Sequence, residues 1–98
     1  MTTTPSVTFT FICDPGHGWL IVSPTWLKAL GLTFGDFSEC SYISPAGDRI
    51  ALEEDCDAPR FLKAFEAQYG KTYELSDIFE PMASLRNWQR LPPVAQAA

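Results

Sequence analysis

Apolar and polar side chains alternate from Val7 to Cys13, with Val7, Phe9, Phe11 and Cys13 on one side and Thr8, Thr10 and Ile12 on the other. A period of two in β-branched and aromatic residues predicts a strand with one buried face. Asp14-Pro15-Gly16 follows as a turn, in which the aspartate holds backbone amides, proline fixes φ and glycine takes the left-handed conformation. Trp19 to Val22 then returns as the second strand of a hairpin. After this the period changes to that of a helix. Ser23 is its N-cap, Pro24 its first residue, Trp26, Leu27 and Leu30 its apolar stripe, and Gly31 its end.

Thr33 to Asp36 reads as a connecting loop, and Ser38 to Ile43 with Arg49 to Leu52 as a second hairpin around Pro45-Ala46-Gly47-Asp48. A second helix opens at Asp57, whose carboxylate is expected to accept the free amides of the first turn, with Pro59 tolerated there. Phe61, Leu62, Phe65 and Tyr69 form its apolar face and Gly70 its stop. Thr72 to Leu75 is a candidate fifth strand. Ile78, Phe79, Leu85, Trp88 and Leu91 are too apolar to be free in water, yet Pro81, Pro92 and Pro93 break regular structure, so packed coil is expected. The order ββαββαβ predicts an α+β fold: one small domain, a mostly antiparallel sheet, and two helices packed on one face. Its expected bounds are residues 7–91, with 1–6 a disordered N-terminus and 92–98 a flexible C-terminal tail.

Composition narrows the function classes. The formal charge is −5, and Asp36, Glu39, Asp48, Glu53, Glu54, Asp55 and Asp57 face only Arg49 across the middle of the chain. From Pro81 onward Arg86 and Arg90 meet no acidic side chain. Phosphate repulsion disfavours direct nucleic-acid binding, whereas the same field favours a basic protein surface, including one that normally holds nucleic acid. Cys13, Cys40 and Cys56 are an odd set without close pairing, which argues for a reducing cytosol over a secreted disulfide scaffold. No apolar stretch approaches a membrane span, so a cytoplasmic location without membrane contact is expected.

Two polar groups invite chemistry. His17, the only histidine, sits in the glycine turn Asp14-Pro15-Gly16-His17-Gly18, and Glu53-Glu54-Asp55-Cys56-Asp57 precedes a helix. Zinc on Cys13, His17, Cys40 and Cys56 has the right ligand count but no Cys-x-x-Cys knuckle, and no metal or other cofactor is expected. A Cys56 nucleophile with His17 would be opposed by Glu54, Asp55 and Asp57, whose charges disfavour a thiolate. The acidic run also lacks the alternating pattern of a calcium loop. Helix capping accounts for Asp57 and leaves Glu53 and Glu54 unexplained, which makes the run a candidate contact surface. Phe37 and Trp88 are the aromatic residues most open to suspicion as exposed anchors.

Cys13-Asp14-Pro15-Gly16-His17-Gly18-Trp19-Leu20, Ser41-Tyr42, Leu52-Glu53-Glu54-Asp55-Cys56-Asp57-Ala58 with Phe61, and Arg86-Asn87-Trp88 together resemble a family of small proteins from phages and other mobile elements. The resemblance spans Cys13 to Leu91. It implies a bacterial host cytoplasm and brings no activity with it. Analogy of origin, size and charge suggests an inhibitor of host defence of the anti-CRISPR kind. The leading expectation is therefore a non-enzymatic protein that binds a host protein or ribonucleoprotein through Asp36, Glu39, Asp48, Glu53, Glu54 and Asp55. The alternative is a small hydrolase-like or metal-dependent enzyme using Asp14, His17, Cys56 and Asp57. A third reading is a symmetric homodimer through Leu85 and Trp88.

Overall fold

A computed structural model describes residues 7–81 and 83–91. The expectations for residues 1–6 and 92–98 lie outside the described residues. Strands β1 (Val7–Cys13) and β2 (Gly18–Val22) form the first hairpin, and helix α1 (Pro24–Ala29) follows. Strands β3 (Tyr42–Ile43) and β4 (Ile50–Glu53) form the second, followed by helix α2 (Ala58–Tyr69), strand β5 (Tyr73–Phe79) and strand β6 (Gln89–Arg90). The sheet order is β5-β1-β2-β4-β3-β6. All neighbours are antiparallel except β1 and β5, which run parallel. The α+β architecture with a mostly antiparallel sheet is thus present. The two ββα units meet through β2 and β4 at the centre of the sheet.

The local chemistry behind these elements is mostly short-range. The Ser23 hydroxyl accepts the Trp26 amide and Pro24 occupies the first turn of α1. Helix α2 stops at Gly70, where φ of +73° would strain any residue with a Cβ. The Asp14 carboxylate accepts the amides of Gly16 and His17, both at 2.9 Å, which closes the first turn. Gly16 itself is not left-handed, contrary to expectation, since Gly31, Gly47 and Gly70 are the positive-φ residues among those described. Asp14 makes the turn without help from an unusual backbone.

Alternation sorts the strands onto two faces. Phe9, Leu20, Val22, Ile50 and Leu52 meet Leu27 of α1 and Phe61 and Phe65 of α2 in the main core. Phe9 stands edge-on to Trp26, Phe61 and Phe65 at centroid distances of 5.7, 5.4 and 5.7 Å, a geometry that places ring edges against ring faces. Trp19, Tyr42 and Ala51 point the other way. There Ala83 and Leu85 cover them, with Trp88 packed alongside.

Several expectations are corrected. The strand expected from Ser38 shrinks to Tyr42–Ile43, and a 3₁₀ turn, Phe34–Asp36, replaces the expected loop. Strand β5 extends to Phe79, and the segment expected as coil contains a 3₁₀ turn, Ser84–Asn87, before β6 pairs with β3. Phe37 is buried in the main core, so it is no exposed anchor, and Trp88 is half-buried beneath Arg49. The two 3₁₀ turns are closed locally, the first by a Thr33–Asp36 capping box, whereas β5, β6, Phe37 and Trp88 depend on partners distant in sequence, which local spacing does not encode.

Candidate functional site

The face opposite the helices carries an open cleft of about 330 Å³. Trp19 of β2 and Tyr42 of β3 line it from the sheet, and Arg86 and Arg90 from the C-terminal segment. His17 enters from the first hairpin turn, while Glu53 at the end of β4 and Asp55 and Cys56 in the turn before α2 line it beside Cys40. The residues left unexplained by local structure, His17 and Glu53, face one another here. His17 Nδ1 lies 3.2 Å from Glu53 Oε2.

Glu53 is 5% exposed and its second oxygen, Oε1, accepts the amides of Asp55 and Cys56 at 2.9 Å each. Burial alone would raise its carboxyl pKa. The amides of Cys56 and Asp55, with His17 and the Cys56 thiol, outweigh burial and hold it below the usual carboxylate value. Glu53, one of the expected contact residues, therefore organises the turn from within, its carboxylate already engaged by two amides and His17.

Asp57 also departs from expectation. It stands at the N-cap position of α2 but its side chain makes no cap bond. The buried carboxylate turns instead to the stretch before β3, accepting the Ser38 amide at 3.0 Å, the Ser38 hydroxyl at 2.8 Å and the Ser41 hydroxyl. The Ser41 hydroxyl oxygen in turn accepts the Glu53 amide at 3.0 Å. Asp57 is thus a tie between β3, β4 and α2, away from the cleft lining.

Asp14 lies next to the cleft rather than in it. Its carboxylate accepts a forked pair of bonds from Arg86, Nε at 2.8 Å and Nη2 at 3.2 Å. The Arg86 bonds, reinforced by the His17 and Gly16 amides, hold its carboxyl far below the ordinary range, and Asp14 raises Arg86 in return. Arg86 also lies over the Trp19 ring, its guanidinium carbon 4.9 Å from the ring centroid. Arg90 covers Tyr42 at 5.0 Å and donates to the Glu39 carbonyl at 2.7 Å, and Arg49 covers Trp88 at 5.0 Å. Three arginine–aromatic stacks on one sheet face are a device the sequence reading missed. The only forewarning was a cationic, acid-free segment after Pro81.

The other acids between positions 36 and 57 divide clearly. Asp36 is engaged by the Thr33 amide at 2.8 Å and by Arg60 at 3.5 Å, and Asp48 accepts the Ser44 hydroxyl at 2.9 Å. Glu39, Glu54 and Asp55 are exposed. Their carboxylates make no hydrogen bond or ion pair among the described residues.

Cys40 and Cys56 meet at the cleft, Cys56 Sγ donating to Cys40 Sγ at 3.3 Å. The bond to Cys40, then Glu53 and burial, push the Cys56 thiol up to about 12. A thiol so held is a poor nucleophile near neutrality, because the thiolate is the reactive form. Cys13 is elsewhere, at the end of β1 with its thiol toward the Ile78 carbonyl at 3.8 Å. The zinc set of Cys13, His17, Cys40 and Cys56 is not assembled, and no group of three or more His, Cys, Asp or Glu among the described residues is arranged to hold a metal ion. Among the described residues no helix is long and apolar enough to cross a membrane. Comparison with protein-family models, with curated proteins and with solved structures finds no match.

Proposed function

We propose that this chain is a non-enzymatic binding protein of a phage or mobile element, which inhibits a host protein or ribonucleoprotein by occupying a basic, nucleic-acid-binding surface. The observation that carries the reading is the division among its acids. Asp14, Asp36, Glu53 and Asp57 are engaged in holding the fold together, whereas Glu39, Glu54 and Asp55 stand exposed near the cleft with no partner among the described residues. Carboxylates beyond structural need steer a cationic partner and fix its orientation. The raised Cys56 thiol speaks against the nucleophilic alternative.

The test is affinity capture from a bacterial lysate at low and high salt, with wild type and with Glu39, Glu54 and Asp55 all changed to Ala. A nucleic-acid-handling complex captured by wild type at low salt, and lost both at high salt and with the triple variant, is the expected result. Capture indifferent to the three substitutions and to salt defeats the proposal.

The His17–Glu53 contact favours one second reading, a small hydrolase-like enzyme in which a buried carboxylate orients an imidazole for proton transfer. A hydrolytic activity abolished by His17→Ala, with folding intact, would establish it in place of the first.

A further inference from the structure

We infer that Cys40 and Cys56 form a redox-active dithiol, a site of reversible disulfide formation by a peroxide at the wall of the cleft. The inference stands apart from the partner-binding reading, since it rests on the two sulfurs and their surroundings alone. Both cysteines are free, and their sulfurs are already in contact at 3.3 Å. Bond formation needs a closure of about 1.3 Å to reach the ordinary S–S length of about 2.05 Å, within the reach of side-chain rotation. Cys56 is exposed and open to a small oxidant, whereas Cys40 is half-buried behind it. Cys13, at the far end of β1, has no cysteine bonded to its thiol among the described residues and no place in the cleft lining.

The surroundings are suited to holding the two sulfurs together in both states. Asp57 binds Ser38 and Ser41, which flank Cys40 and its neighbour Glu39, and Asp57 itself directly follows Cys56. The Ser38 hydroxyl oxygen accepts the Cys40 amide at 3.1 Å, and Glu53 accepts the Cys56 amide at 2.9 Å. Each cysteine backbone is fixed by a side chain that also belongs to the cleft wall or its support, so the pair meets without a loop having to be ordered first.

The chemistry balances with hydrogen peroxide as oxidant. The Cys56 thiolate takes one oxygen from the peroxide: an S–O bond forms as the O–O bond breaks, and the departing hydroxide takes up a proton to leave as water. The Cys40 sulfur then attacks the resulting sulfenic sulfur, forming the S–S bond as the S–O bond breaks, and a second water leaves with the Cys40 proton. Two thiols are oxidised to one disulfide and one peroxide is reduced to two waters. A dithiol reductant reverses the change by exchange. The raised Cys56 thiol makes the first step slow near neutrality and faster as pH rises, because the thiolate fraction grows with pH.

Closure alters the site as well as the sulfurs. Closure removes the thiol proton next to Glu53, whose carboxylate is then held by the Asp55 and Cys56 amides and His17. The bridge also pins the approach to β3 against the start of α2, closing a short loop that raises thermal stability by on the order of 10 °C.

The experiment treats the purified full chain with excess hydrogen peroxide, blocks remaining thiols by alkylation, and maps the products by mass spectrometry without reduction. The expected outcome is a fall from three alkylated cysteines to Cys13 alone, a Cys40–Cys56 cross-linked peptide, return of all three on adding a dithiol reductant, and faster formation at higher pH. Cys40→Ser and Cys56→Ser each abolish the cross-link and the thermal shift while keeping the reduced protein's spectrum. Three alkylatable thiols after oxidation, a bridge to Cys13 or between two chains, or direct passage of Cys56 to the sulfinic acid overturns the inference.

Discussion

Arg86 grips Asp14 across 72 residues of chain, donating Nε and Nη2 to the two carboxylate oxygens while its guanidinium plane covers Trp19. One side chain thereby joins the first hairpin turn, the centre of the sheet and the C-terminal segment. Asp14 works in both directions, since the same carboxylate accepts the amides that make its own turn.

The Arg86 pairing sets an acid limit on stability. Asp14 has a carboxyl depressed in the folded state, so its contribution is fully present above the unfolded value of about 3.9 and is lost as pH falls toward the depressed one. Glu53 is lowered as well and acts in the same direction. Thermal unfolding followed by circular dichroism should show wild-type stability falling steeply below about pH 4, whereas Asp14→Asn starts lower at neutral pH and falls less over that window. Parallel acid limbs for the two proteins would contradict the assignment.

Asp57→Ala should destabilise the chain by about 2–4 kcal/mol, because it leaves the Ser38 amide and the Ser38 and Ser41 hydroxyls without their shared acceptor. Chemical denaturation measures this directly. Had Asp57 served only as a helix cap, the loss would be nearer about 1 kcal/mol.

Gly18→Ala should cost about 1–2 kcal/mol, since an added Cβ would lie 2.6 Å from the Phe11 ring. The ring covers the bare glycine backbone on the neighbouring strand, an arrangement that protects the hairpin where it lacks a side chain. The same substitution at Gly35, where the nearest neighbour is an ordinary contact at 3.5 Å, serves as the control and should be tolerated.

Phe9→Ala should cost about 3–5 kcal/mol by emptying the centre of the aromatic cluster. Leu75, its registered partner on β5, is 43% exposed, and Leu75→Ala should cost less than about 1 kcal/mol. Equal losses at the two positions would mean that the core extends over β5 and would contradict its place as an exposed margin.

Local chemistry made the turns, caps and first strand legible. The alternation in Val7–Cys13, the Asp14 turn, the Ser23 cap and the Gly70 stop each depend on neighbours within a few residues. Asp57 misled for the complementary reason: its sequence position suits a helix cap, but two serines from a different segment compete for the carboxylate and win. Parallel pairing of β5 with β1 and the docking of β6 on β3 were equally hidden, as propensity describes a strand without naming its neighbour. Of the site, the sequence offered His17 and the acidic turn. Trp19, Tyr42 and Arg90 joined them through sheet register, Arg86 through its pairing with Asp14, and the Cys40–Cys56 contact through the tie that Asp57 makes.

Strand β5 sits at the margin of the sheet, with Leu75 and Ile78 each 43% and Phe79 62% exposed. A bare apolar margin of this kind is a template for pairing between molecules. Glu74 and Asp77 punctuate it and Glu80 follows it, so two margins brought together would confront one another's carboxylates. The chain's surplus of negative charge thus has a colloidal role as well: near neutrality it keeps neighbouring molecules from zipping into a continuous sheet, and acidification removes that guard.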